Sequence, residues 1–159
     1  MFKEIERKFL VHGEEWRPFA TSSEFCQGYI YSSPKGLVRI RTESEKAFLT
    51  IKGPKMGISR TEYEYPIPLT DANELLETLA NKPLIYKTRH KIPMGKYIWE
   101  IDEYRGDNTG LIVAEIELES EDDVFEKPNW IGKEITHDAR YRNAALAKYP
   151  YSQWAEDLK

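Results

Sequence analysis

The chain has 159 residues, 40% of them apolar and 31% charged, which suits a single domain over residues 1–159 with a proper hydrophobic core. A net charge of −4 speaks against a general nucleic-acid binder. The single cysteine, Cys26, excludes an intramolecular disulfide, fits a reducing compartment and reads as a small buried hydrophobe.

Taken in chain order, short runs with alternating polarity predict strands at Ile5–Val11, Gln27–Tyr31, Leu37–Arg41, Lys46–Lys52, Ser59–Ile67, Leu84–Lys91, Lys96–Tyr104 and Leu111–Leu118. Ser33-Pro34-Lys35-Gly36, Gly53-Pro54, Met56-Gly57, Pro93-Met94-Gly95 and Gly106-Asp107-Asn108 supply turn chemistry between them. Helices are expected at Glu14–Phe19, from Thr70 as a capping residue through Leu79, and from Asp138 to a stop at Pro150. Asp122–Phe125 and Trp130–Gly132 read as turns or helical fragments. The N-terminus lacks the apolar core of a secretory signal, and no apolar run approaches the roughly 20 residues of a membrane helix. A cytoplasmic protein without a membrane partner is expected.

Side chains on a strand alternate faces, so Glu4, Glu6 and Lys8 share one face while Ile5 and Phe9 share the other. The same alternation recurs in Val38-Arg39-Ile40-Arg41, Thr50-Ile51-Lys52, Arg60-Thr61-Glu62-Tyr63-Glu64, Lys87-Thr88-Arg89, Trp99-Glu100-Ile101-Asp102 and Ala114-Glu115-Ile116-Glu117-Leu118. Any one of these strands alone reads as a solvated face. As a set they differ from a bland surface. Like charges cluster within strands (Arg39 with Arg41, Lys87 with Arg89, Glu115 with Glu117), and the opposite faces are continuously apolar, as if covered by an outer layer. The expected fold is therefore mostly β: an eight-stranded antiparallel closed barrel with a charged lumen and a few peripheral helices. Converging carboxylates call for a hard cation, Mg²⁺ or Mn²⁺, and the bases for an anion of high charge density. A triphosphate answers both needs.

Glu-Ile-Glu-Arg-Lys-Phe-Leu, followed in order by Val-Arg-Ile-Arg, Thr-Ile-Lys-Gly, Arg-Thr-Glu-Tyr-Glu, Lys-Thr-Arg, Trp-Glu-Ile-Asp and Ala-Glu-Ile-Glu-Leu, resembles the CYTH domain, whose members are also called triphosphate tunnel metalloenzymes. Within that family the chain is most similar to small bacterial inorganic triphosphatases. The resemblance implies metal-dependent hydrolysis of a triphosphate, inorganic tripolyphosphate first. It matches Glu4, Glu6, Glu115 and Glu117 to the metal-holding acids, and Glu62, Glu64 and Glu100 to supporting acids. Asp102 stands between the two groups and is counted among the metal candidates. Lys8, Arg39, Arg41, Lys52, Arg60, Lys87 and Arg89 match the phosphate-binding bases, with Glu6, Lys8 and Lys87 as candidates for direct catalytic roles.

Competing readings are an adenylate cyclase, a thiamine or nucleoside triphosphatase on the same tunnel, and a binding module for polyphosphate or a nucleotide. The first two need an aromatic platform for an organic group, for which Tyr29, Tyr31, Phe48 and Trp154 are the candidates. The acidic set argues against a pure anion binder, which gains little from so many carboxylates. A homodimer is among the expectations the family carries, with nothing in the sequence to fix the contact. His12, His90 and His137 show no metal-ligand spacing.

Overall fold

The computed structural model describes residues 2–159. Its strands are β1 (Phe2–Val11), β2 (Thr21–Ser33), β3 (Gly36–Glu43), β4 (Lys46–Lys52), β5 (Ser59–Pro66), β6 (Ile85–Met94), β7 (Tyr97–Tyr104), β8 (Ile112–Glu117) and β9 (Ile131–Glu134). They form one antiparallel sheet in the order β5-β4-β3-β2-β6-β7-β8-β1-β9. Pairing of β1 with β5, from Phe2 opposite Glu62 to Ile5 opposite Ser59, closes the first eight into a barrel. Closure leaves no free edge along that ring. The ninth strand lies beside the far half of β1, with Phe9 opposite Glu134 and Val11 opposite Ile131.

The strand order follows the sequence reading, with five local differences. β9 begins inside the segment read as a turn; its four residues, Ile131-Gly132-Lys133-Glu134, are too few to show a period. β2 starts at Thr21 rather than Gln27 because the polar run Thr21-Ser22-Ser23-Glu24 is held by pairing to β6, Thr21 opposite Lys91, and not by burial. The expected Glu14–Phe19 helix is only a 3-10 turn at Arg17–Phe19, where Pro18 lacks the donor that further helix would need. α1 (Leu69–Thr78) begins one residue before Thr70, with Pro68 at its N-cap, so Thr70 lies within the first turn and does not cap it. The C-terminal helix is broken in two: Asp138 accepts the Arg140 N–H of a 3-10 turn at Ala139–Tyr141, and α2 covers Asn143–Lys148.

The apolar side chains of the strands face outward, beneath a partial outer layer. Ile5, Phe9, Trp99, Ile101, Ala114 and Ile116 pack with Trp16 and Trp130, and Trp99 meets Phe9 and Trp130 edge to face at 5.7 Å. α1 covers Ile40 and Ala47 with Ala72 and Leu76. Together with the segment that follows it, α1 comes so close to β2 that a Cβ at Gly28 would lie 2.7 Å from Leu84 Cδ2, 2.9 Å from Ala80 Cβ and 3.1 Å from Leu76 Cδ2. A third cluster joins Ile85, Tyr104 and Val113 to Tyr141, Leu146 and Trp154, which anchors the C-terminal segment on the barrel. Cys26 is half-buried, more exposed than a core hydrophobe, and is a free thiol.

Candidate active site

A cavity of about 310 Å³ runs through the barrel. Of the residues singled out from sequence, Glu4, Glu6, Lys8, Arg39, Arg41, Lys52, Arg60, Glu62, Glu64, Lys87, Arg89, Glu100, Glu115 and Glu117 all line it. Seven strands deliver these side chains because each carries its charges on alternate residues and the register brings those residues together. Glu6 stands opposite Glu117 and Lys8 opposite Glu115, while Glu115 also faces Glu100 across β7. Lys52 is opposite Glu62 on β5 and opposite Leu37 on β3.

Most bases are paired. Lys52 donates to both oxygens of Glu4 at 3.0 Å and lies 3.1 Å from Glu62. Lys8 lies 3.4 Å from Glu115 and 3.8 Å from Glu6. Arg39 donates to Thr50 Oγ1 at 3.2 Å, and Thr50 in turn donates to Glu64. Arg41 approaches Glu64 at 3.5 Å and stacks its guanidinium over Phe25 and Phe48 at 5.1 and 5.5 Å. Phe25 also lies 5.0 Å beneath Arg89. The Nε atoms of Arg39 and Arg41 are buried with no partner. A buried unsatisfied donor is costly, and here it marks a site built for an anion.

Asp102 does not line the cavity. It is fully buried behind it, accepting from Lys87 at 2.8 Å and from Arg89 Nε and Nη2 at 2.8 and 2.9 Å. Its carboxyl is held below the usual range because Arg89 and Lys87 together outweigh the opposing effect of burial. With its lone pairs so occupied, it orients two bases.

The acids divide electrostatically. Burial, together with Glu115 and Glu4, pushes Glu6 up to about 7. Burial with Glu4, Glu62 and Glu100 does the same to Glu117, also to about 7. Burial would raise Glu115 as well, but Lys8, Arg89 and Lys87 hold it well below the ordinary carboxylate range. Burial lowers Lys87 to about 8 in spite of Asp102, with Arg89 pushing in the same direction.

Of the proposed aromatic platforms Tyr29 lines the cavity, whereas Lys55, Arg142 and Asn143, which also line it, were missed by sequence reasoning. The Tyr29 hydroxyl accepts from Gln27. Lys55 lies in the β4–β5 loop and Arg142 just before α2, where no periodicity signals a direction. Of the other proposed platforms, Phe48 supports Arg41, Trp154 is buried in the C-terminal cluster and Tyr31 is half exposed.

Among the described residues no three acidic, histidine or cysteine side chains form a ready-made metal cage. The donor set nevertheless fits a hard divalent cation. Glu6 and Glu117 oppose each other across two strands, both pushed up by burial and by neighbouring carboxylates, and all their donor atoms are oxygens.

Comparisons with known proteins agree with this geometry. The CYTH domain matches residues 3–148. An inorganic triphosphatase of Acetivibrio thermocellus is 49% identical over 156 residues, covering 98% of this chain and all of that protein. One of Nitrosomonas europaea is 37% identical over 153 residues, covering 91% of this chain and 96% of its own. A crystal structure described as an inorganic triphosphatase superposes with a TM-score of 0.62 at 33% identity, covering 90% of this chain and 96% of that one. A barrel closed by β1 and β5, a lumen of opposed acids and bases, and a match over nearly the whole length lead to one assignment: the chain belongs to the CYTH domain family.

Proposed function

We propose that this protein hydrolyses inorganic tripolyphosphate to pyrophosphate and phosphate with Mg²⁺ or Mn²⁺ as cofactor. The observation that carries the reading is a single cavity holding both an anion-binding set of bases and a surplus of opposed carboxylates. Two inorganic triphosphatases that match along their length support it.

Lys8, Arg39, Arg41, Lys52, Arg60 and Arg89 hold the phosphate chain in one pose. They neutralise charge on the departing pyrophosphate with dipoles and charges already in place. Glu4, Glu6, Glu115 and Glu117 are the residues that would hold the cation, whose chemistry is to polarise phosphoryl oxygens and make bound water more acidic. In the reaction the oxygen of water forms a bond to a terminal phosphorus while the bridging P–O bond breaks, and pyrophosphate leaves with the electron pair. Glu6, facing the cavity opposite Glu117 and beside Lys8, orients the water and receives its proton. Lys87, brought down to about 8, supplies positive charge or a proton to the leaving oxygen. Asp102 contributes by positioning Lys87 and Arg89.

The test is phosphate release from tripolyphosphate, ATP and thiamine triphosphate side by side with Mg²⁺, Mn²⁺ or EDTA. The expected result is metal-dependent turnover fastest on tripolyphosphate. Faster turnover of either organic triphosphate would move the assignment to the nucleoside or thiamine reading. Three intact substrates with metal present would end the hydrolase proposal.

A further inference from the structure

Nine bases and seven acids line the cavity. The excess of positive charge is not spread evenly among them. Lys8, Lys52, Lys87, Arg39, Arg41 and Arg89 each have a carboxylate within ion-pairing distance. Lys55, Arg60 and Arg142 form a second set, and among the described residues none of the three makes an ion pair. Lys55 reaches only the Thr136 carbonyl at 3.5 Å. Arg60 donates to the Gly53 carbonyl at 3.1 and 2.6 Å. The Nε of Arg142 is buried without any partner.

These three cations are neighbours. Lys55 is lowered first by burial and then by Lys8, with Arg142 and Arg60 adding to the effect against Glu6, and Arg60 is lowered by burial and by Arg142 against Glu4, its partner in the β1–β5 register, and Glu6. Two of the three come from loops rather than strands: Lys55 from the β4–β5 connection and Arg142 from the residue preceding α2. They sit where the wall of the cavity passes from barrel strands to loops, beside Asn143 and Ala144. Unpaired cations crowded at a partly buried wall repel one another. Their arrangement gains from a multiply charged anion with several acceptor oxygens.

We infer that Lys55, Arg60 and Arg142 form a phosphate subsite separate from the carboxylate-paired bases, which takes the non-reacting terminal phosphate of an inorganic polyphosphate chain. This deepens the triphosphatase reading and rests on it. The subsite requires a bare phosphate at that end, because guanidinium and ammonium donors leave a nucleoside or thiamine group with nothing to replace the lost charge–charge contacts. It thereby sets the preference for inorganic chains over organic triphosphates.

The experiment compares wild type with Lys55→Gln, Arg142→Gln and the double variant, each checked for an unchanged thermal midpoint. Hydrolysis of tripolyphosphate and ATP is measured alongside calorimetric binding of tripolyphosphate in metal-free buffer at several salt concentrations. The expected result is a rise of about tenfold or more in KM for tripolyphosphate in the double variant. ATP should change far less, the salt dependence of binding should become shallower, and Arg142→Lys should recover part of the affinity. Unchanged tripolyphosphate KM and binding in a folded double variant would overturn the subsite. If wild type binds tripolyphosphate without hydrolysing it, the functional reading fails. The subsite then stands or falls on whether binding weakens in the double variant.

Discussion

Neighbouring residues of β1 have opposite fates. Ile5 and Phe9 go outward into an aromatic and aliphatic layer, and Glu4, Glu6 and Lys8 go inward among other charges. The same division runs through β7, where Trp99 and Ile101 pack outward while Glu100 and Asp102 turn in. Outward burial of Trp99, Phe9 and Ile116 removes apolar area from water and stabilises the barrel. Inward burial of charge costs desolvation that ion pairs only partly offset. One face therefore holds the barrel together and the other makes it reactive, and each half of the comparison is open to experiment.

Metal removal gives the largest expected effect. With EDTA in excess, triphosphate turnover should vanish while the circular dichroism spectrum keeps its β signature, because the outer layer and not the cation carries the fold. Loss of the fold on chelation would mean that the inner face is structural after all.

Next come two substitutions, one on each face. Asp102→Asn leaves Lys87 and Arg89 buried without their shared counter-charge and should destabilise by about 3–5 kcal/mol. Trp99→Ala opens a hole in the outer cluster and should cost about 3–5 kcal/mol as well. Denaturant titration gives both losses. The two separate in kinetics: Trp99→Ala should leave the KM for tripolyphosphate near that of wild type, whereas Asp102→Asn should raise it. Equal KM effects would erase the distinction between the faces.

pH separates the acids themselves. Glu6 and Glu117 have folded-state pKa values near 7, above their ordinary value. The folded protein therefore binds more protons than the unfolded chain between about 4.5 and 7. Their contribution to stability is present at low pH and lost as pH rises through that window. Glu115 is shifted the opposite way, so its contribution is present above the unfolded carboxylate pKa and lost only at strongly acidic pH. In metal-free buffer the thermal midpoint of Glu6→Gln/Glu117→Gln should decline less between pH 5 and 8 than that of wild type. A decline of equal slope would show that these carboxyls are not raised.

The smallest effect belongs outside the barrel. Arg7 makes a bidentate pair with Glu134 of β9 at 2.8 and 2.6 Å, in a partly exposed position. Arg7→Ala should cost no more than about 1 kcal/mol and leave turnover unchanged. A larger loss would mean that β9 supports β1 more than a surface pair allows.

The alternation of charge and apolar residues was enough to read the barrel and most of its lumen, because a period of two states directly which residues share a face. Its limits were physical. Parity placed Asp102 inward beside Glu100, but only the packed structure shows it beneath Arg89, with its oxygens spent on two bases. Lys55 and Arg142 were invisible because loop residues have no period. β9 was missed because Ile131-Gly132-Lys133-Glu134 takes its strand conformation from pairing with β1. Thr70 looked like a cap, yet Pro68, with no donor of its own and a fixed φ, starts α1 one residue before it.

The most direct test of the central claim is tripolyphosphate hydrolysis by Glu6→Gln at saturating Mg²⁺, with the thermal midpoint measured on the same preparation in metal-free buffer. Because Glu6 lines the cavity opposite Glu117 and is crowded by burial, Glu115 and Glu4, the expected result is a loss of activity of about 10²- to 10⁴-fold, with a metal-free midpoint equal to or above that of wild type. Activity close to wild type would contradict the catalytic assignment of the inner face, and a collapse of the midpoint would contradict its separation from the stabilising one.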